Sequence, residues 1–427
     1  MKVDYTPFSK IITRARVGEA LFFSGYIIWM LWKIIASSML SPLDGSPVNT
    51  ICHFGAQALL SLSGILRVKE IIAHWRTVFV VLIVAVACWS SSGESYSFDV
   101  ALLIVASTGI AFRRIAFVTL SVTVPTVVTI VILSQIGLIE DYIWGIGERE
   151  RHGLGFLYCN KAGFYLLSST LVYLYLRSSR ATIIECAVIA AVNLVQFKLT
   201  DAKNPTILLF GALILFLCLK NQRAARVISH VATSRAFPSI FVAFALLSVL
   251  STVAYNPSNE VWRGLNYVLS NRLEQTQNSL EQYGVGIFAD EIEFHGKRLS
   301  KDGAIRPIKE AAPDGNYNYI DNSYMKLLIQ RGLLPFLLVL ALLSRSVWQA
   351  SKLCDTEACI CFFIIAVFAV VDAELTTVIY NGTLFLLWHY ALVMPDALFS
   401  EAGSGVRLKP AACSGSGKRS SARRLAD

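Results

Sequence analysis

Four short stretches of this sequence combine cations, carboxylates and amides in spacings that could handle phosphate and move a proton. In RERHGLGFLYCNKAGFYLL (149–167), Arg149, Arg151 and His152 precede a glycine-containing turn, and Asn160 and Lys161 stand at the start of an apolar run. An arginine presents a planar fork of N–H donors that matches phosphate oxygens and stays charged at all relevant pH. Such a group suits anion capture, although the same cations could serve as interfacial anchors for phospholipid head groups. QFKLTDAKNPTILL (196–209) gathers Lys198, Asp201 and Lys203 around a very short turn, where Lys198 can snorkel and Asp201 can cap the next helix. In SNRLEQTQNSL (270–280), Arg272 follows Asn271 in a segment of amphipathic pattern.

The fourth stretch, DNSYMKLLIQRGLLPF (321–336), opens polar and runs into apolar sequence. Asp321 or Asn322 is a natural helix N-cap, and a carboxylate is favourable beside a helix N-terminus. A carboxylate there can also take a proton from a hydroxyl. Arg331 comes about ten residues later, roughly 15 Å along a continuous helix. A cation at that depth in a span is costly and normally faces a polar cavity or a partner.

These stretches lie in a chain of 427 residues, 55% hydrophobic and 16% charged, with mean hydropathy +0.57. That balance excludes an ordinary soluble domain. Apolar runs near 19–40, 48–66, 77–91, 97–112, 115–137, 155–176, 181–199, 205–219, 236–255, 323–343, 358–372 and 376–394 predict an all-α polytopic membrane protein of about twelve transmembrane helices. No small-residue cleavage site follows a short apolar core near the N-terminus, so the first span is expected to stay in the protein.

Loop charges check the count. Arg14 and Arg16, Arg67 and Lys69, Arg113 and Arg114, Arg177 and Arg180, Arg223 and Arg226, and Arg345 and Lys352 fall on one side. The opposite loops SPLDGSP, SSSGESYSFD, IEDYIWGIGERER, TDAKN and VDAELT are acidic or neutral apart from Arg149, Arg151 and Lys203. By the positive-inside rule both termini are cytoplasmic, and the long loop 256–322 between helices 9 and 10 is extracytoplasmic. The net charge of +9 then belongs to cytoplasmic loops, and no nucleic-acid partner is implied. The membrane domain is expected over 1–400, with amphipathic helices in the long loop, and 401–427 reads as a disordered basic cytoplasmic tail attracted to anionic lipid. The nine cysteines lie mostly in apolar runs and have no zinc-ligand spacing.

Taken in order, the motifs resemble the O-antigen polymerase and ligase superfamily, the Wzy-type membrane proteins that handle polyprenyl-diphosphate-linked glycans. The resemblance is carried by Arg151, Leu154, Gly155, Phe156 and Asn160; by Thr200, Asp201, Lys203 and Pro205; by Arg272, Tyr283, Gly284 and Phe288; and by Asp321, Asn322, Tyr324 and Gly332, over roughly 145–345. Lys203 stands where these proteins often have arginine, Ala289 where many have glycine, and Asp321 where ligase-like members often have histidine.

The resemblance implies a bacterial cytoplasmic-membrane enzyme that transfers glycan from a polyprenyl diphosphate to a sugar hydroxyl on the outer face, without cofactor or bound metal. Arg151 and Arg272 would bind the diphosphate with Lys203 assisting, and Asp321 would orient or deprotonate the acceptor. Asn322 and Tyr324 would position it, and Asn160 and Arg331 complete the expected substrate contacts. A repeat-unit polymerase is the leading reading, with a ligase close behind; membrane lipids, a flippase and a chain-length regulator are the expected partners. A transporter or lipid-linked glycan flippase shares the twelve-span plan, but 67–76 lacks a G-x-x-x-D-R-x-G-R-type loop.

Overall fold

In hydrocarbon every backbone polar group must be satisfied within its own segment or a closed sheet, which selects helices for a chain of this composition. Helix makes up 77% of the computed structural model, which describes residues 6–40, 47–92, 95–144, 150–288, 292, 297–299, 305–307 and 319–392. The N-terminal part comprises α1 (Thr6–Ala36), α2 (Pro47–Leu66), the short α3 (Val68–Ala73), α4 (Trp75–Ser92), α5 (Ser95–Ala106) and α6 (Phe112–Gln135). A strand pair, β1 (Ile143–Trp144) with β2 (Arg151–His152), precedes α7 (Lys161–Arg177), α8 (Ile183–Thr200), α9 (Lys203–Cys218), α10 (Gln222–Ala232) and α11 (Ile240–Ala254). The long loop holds α12 (Glu260–Val268), α13 (Arg272–Tyr283) and a second pair, β3 (Lys297–Leu299) with β4 (Ile305–Pro307). The chain then forms α14 (Ser323–Arg331), α15 (Leu333–Lys352), α16 (Thr356–Val371) and α17 (Leu384–Leu392).

Each of the twelve apolar runs contains a helix, but length separates them. Among the described residues five helices are long and apolar enough to cross a membrane alone: Arg14–Ala36, Phe112–Gln135, Ile183–Thr200, Phe237–Ala254 and Leu333–Lys352. A sixth span results if α9 and α10, bent by 115° at their junction, count together. Their outward faces carry Ile132, Val188, Ile207 and Leu250, each more than half exposed, as a lipid-facing surface requires. The chain is mostly helical, with at least five helices able to cross a membrane.

α16 sits at the centre, packed on α7, α9, α11, α14 and α15. Its Ala358, Ala366 and Ala369 are fully buried, and small residues let helices approach closely where no hydrophobic force acts between them. Phe164 meets Phe368 edge-on at 5.4 Å, locking α7 to α16. In the N-terminal bundle the buried Asp99 of α5 accepts from Trp29 Nε1 at 3.1 Å and Gln57 Nε2 at 2.7 Å, with Lys33 Nζ at 3.6 Å. That carboxylate is fully engaged, as a buried charge must be, and joins α1, α2 and α5.

Three expected spans start differently. Residues 153–160 form a looped entry before α7, and 376–383 lie outside α17. The expected span 323–343 is two helices, because α14 ends at Arg331 and Gly332 turns the chain at φ +86°. Arg331 is therefore not ten residues deep in a continuous span; it closes a nine-residue helix before α15 begins. Gly332 is required twice over. A Cβ there would lie 2.4 Å from the Phe288 carbonyl carbon and 2.6 Å from its oxygen, and Leu333 and Leu334 donate to the carbonyls of Gly286 and Ile287 at 2.9 and 3.0 Å.

Gly332→Ala should therefore cost at least about 2 kcal/mol, the scale of a strained left-handed residue before any clash is added. Gly55→Ala, helical and with open space around its Cβ, should be neutral or stabilising. Apparent melting temperatures in detergent compare the two, and equal midpoints would remove the close backbone approach from the account.

Candidate functional site

The four stretches contribute unequally to one polar cluster, whose centre is Arg272. Arg272 opens α13, and its side chain is only 11% exposed. Its Nε lies 3.5 Å from Asp321 Oδ2, just ahead of α14, and its Nη2 lies 3.8 Å from Asp372 Oδ1, the first residue beyond α16. Both contacts are long ion pairs rather than short bidentate hydrogen bonds. One guanidinium thus lies between two carboxylates drawn from different segments.

α13 is positioned by a residue outside it. Asn271 is left-handed (φ 64°) and makes no side-chain cap. The buried Asn266 of α12 substitutes: its Oδ1 accepts from Leu273 N at 3.1 Å and Glu274 N at 3.3 Å, while Nδ2 donates to Tyr255 Oη at 3.0 Å and Glu274 Oε2 at 3.1 Å. This satisfies orphan donors of the first turn and sets the direction in which Arg272 leaves the helix.

α14 is fixed just as closely. Asn322 Oδ1 accepts from Tyr324 N at 3.0 Å and Met325 N at 3.1 Å, and its Nδ2 donates to Ser248 Oγ of α11 at 3.0 Å. Ser323 Oγ donates to the Asp372 carbonyl at 2.5 Å, joining the start of α14 to the end of α16. The Asp372 side chain is 7% exposed, and its Oδ2 has no hydrogen-bond partner among the described residues. Asp321, with 26% of its side chain exposed, is the accessible member of the pair.

The other expected residues divide. Arg151 donates from Nε to the Thr200 carbonyl at 2.9 Å and from Nη2 to Asn160 Oδ1 at 2.5 Å. It ties the loop before α7 to the α8–α9 turn, and Asn160 is its partner. Tyr158, between them in sequence, lies within electrostatic reach of Arg151, Asp321 and Asp372, so this loop borders the cluster. Lys203 is exposed at the start of α9; from that turn it is Asn204 that approaches the cluster, with Nδ2 3.4 Å from the Val371 carbonyl.

Asn322 spends its amide on the helix start and on Ser248. Tyr324 is fully buried and donates to the Ala366 carbonyl at 3.0 Å, which makes it a bolt between α14 and α16, not a residue at an open site. Arg331 lies apart from Arg272 in role, on the wall of a cavity beyond α14. Among the described residues no three His, Cys, Asp or Glu side chains converge as a metal site would.

Sequence reading missed Asp372, Asn204 and Asn266. The signal for Asp372 was a carboxylate ending an apolar run, in VVDAELT; nothing local pointed to Asn266. No family model matches the chain, and no characterised protein or solved structure is significantly similar to it.

Asn266→Ala should cost about 1–3 kcal/mol, because it leaves buried backbone donors of α13 unmet, and should lower the apparent melting temperature in detergent. An unchanged midpoint would mean that α13 holds Arg272 without this cap.

Proposed function

We propose that this protein polymerises polyprenyl-diphosphate-linked oligosaccharide repeat units into surface polysaccharide on the outer face of a bacterial cytoplasmic membrane. The observation that carries the reading is Arg272 held loosely between Asp321 and Asp372. A guanidinium with long carboxylate contacts can exchange them for diphosphate oxygens, which its fork matches better. The motif order supports the same reading, as does the charge alternation that puts 256–322 outside.

In the reaction, the hydroxyl oxygen of the acceptor sugar bonds to the anomeric carbon of the donor. The bond from that carbon to the diphosphate oxygen breaks, and its electron pair leaves with the polyprenyl diphosphate. Arg272 neutralises that developing charge. Asp321, released from Arg272 as the diphosphate takes the guanidinium, accepts the proton of the acceptor hydroxyl. Asp372, buried, keeps Arg272 aimed while Asp321 lets go. Arg151, through Thr200 and Asn160, holds the loop that borders this point.

Two measurements test the proposal. Asp321→Asn keeps the polar residue ahead of α14 and leaves the Asn322 cap intact, so the protein should insert normally while transfer from a purified lipid-linked repeat unit falls roughly 10²- to 10⁴-fold, the scale of a lost general base. Arg272→Lys, a point charge without the fork, should also lose most transfer. Near-normal glycan chains in Asp321→Asn would end the assignment. For the topology, a reporter after residue 230 should behave as cytoplasmic and one near residue 300 as external; both on one side would remove the outer-face site.

A further inference from the structure

Along α14 lies a cavity of about 220 Å³ bordered by α4, α5, α15, α17 and residues 373–377. Most of its lining is hydrocarbon, with Val84, Ala101, Leu342 and Leu384 in it, and Ser346, Thr376 and Thr377 add hydroxyls. The most polar wall is one face of α14: Ser323, Lys326, Gln330 and Arg331 recur at helical spacing and all line the space. Lys326 Nζ reaches Tyr319 Oη at 3.3 Å and lies 5.0 Å from its ring centre, so that ammonium is held at the cavity edge. Two buried polar atoms at the same cavity, Gln330 Oε1 and Trp388 Nε1, have no hydrogen-bond partner among the described residues.

A space that is mostly aliphatic, with cations along α14, fits an amphiphile with an anionic head. A free phosphate would leave the aliphatic walls empty. The cavity also joins the candidate site, since Ser323 lines it and donates to the Asp372 carbonyl.

Resting on the polymerase reading, we propose that this cavity seats the isoprenoid chain of the lipid-linked substrate next to its phosphates, with Lys326, one turn into α14 and held at Tyr319, meeting the phosphate oxygens nearest the chain. The site then measures the lipid as well as the sugar: α14 presents the head group to Arg272 at its start and grips the chain along its length.

The test is photolabelling of the full chain in nanodiscs with a prenyl monophosphate that carries a diazirine on its terminal isoprene, followed by peptide mapping. Label should fall on α4, α5, α15 and α17, and should be competed by unlabelled prenyl phosphate but not by the matching prenol, inorganic phosphate or phosphatidylglycerol. Ala101→Phe and Ala85→Phe, which fill the cavity, should each lower labelling about tenfold, equivalent to the lower end of overpacking costs. Mapping on the unaltered protein stands even if a filled variant folds poorly.

Label elsewhere, or equal competition by phosphatidylglycerol, overturns the inference and identifies an ordinary lipid contact. Asp321→Asn separates the two ideas, since it should keep the label while losing transfer. If Asp321→Asn still makes polymer, the catalytic reading falls. If label misses the cavity in a protein that still transfers, this inference falls alone.

Discussion

A guanidinium withdrawn from bulk water has to be paired, and the pairing of Arg272 determines how the rest of this molecule is arranged. Its two carboxylates come from the residue ahead of α14 and the residue after α16, while the guanidinium comes from a helix in the long loop. α13 is therefore not a passing segment laid over the bundle. Its entry, through Asn266, and its charge, through Asp321 and Asp372, tie it to the core helices.

That pairing also explains which parts of the site could be read from sequence. Apolar runs locate helices because hydrocarbon leaves the backbone few other choices, and Asn322 ahead of an apolar stretch marks a helix start by its own chemistry. Arg272 and Asp321 were legible as charged residues in a recurring order, and the structure brings them together. Asp372 was not, because its importance is a long-range fact: one carboxylate at a helix end looks like many others until α13 and α14 close over it. Asn204 in place of Lys203 is the same lesson, for rotation at the start of α9 decides which side chain turns inward.

Gly332 was visible as part of a motif, yet its physical meaning was not. Read as a span, 323–343 made Arg331 an expensive cation deep in hydrocarbon. The break at φ +86° changes the account: Arg331 ends a helix, where a cation complements the helix dipole, and it lines a cavity. Periodicity does not reveal such a break, since apolar residues continue across it. The pairing of 286–288 with 332–334 supplies the reason, and it depends on a loop that folds back from over forty residues upstream.

A nine-residue helix is marginal in isolation, so α14 exists because both of its ends are held. At the start Asn322 bonds Ser248 and Ser323 bonds the Asp372 carbonyl; at the finish Gly332 admits the backbone of Phe288. Between these clamps the helix turns one face to the cavity, and Asp321, two residues ahead of it, faces Arg272. Segment 284–288 follows α13 directly, so the element that carries Arg272 also leads into the stretch that clamps the far end of α14. A shift of α13 therefore acts on α14 from both ends, and the placement of Asp321 and the cavity face of α14 are coupled through a single short helix.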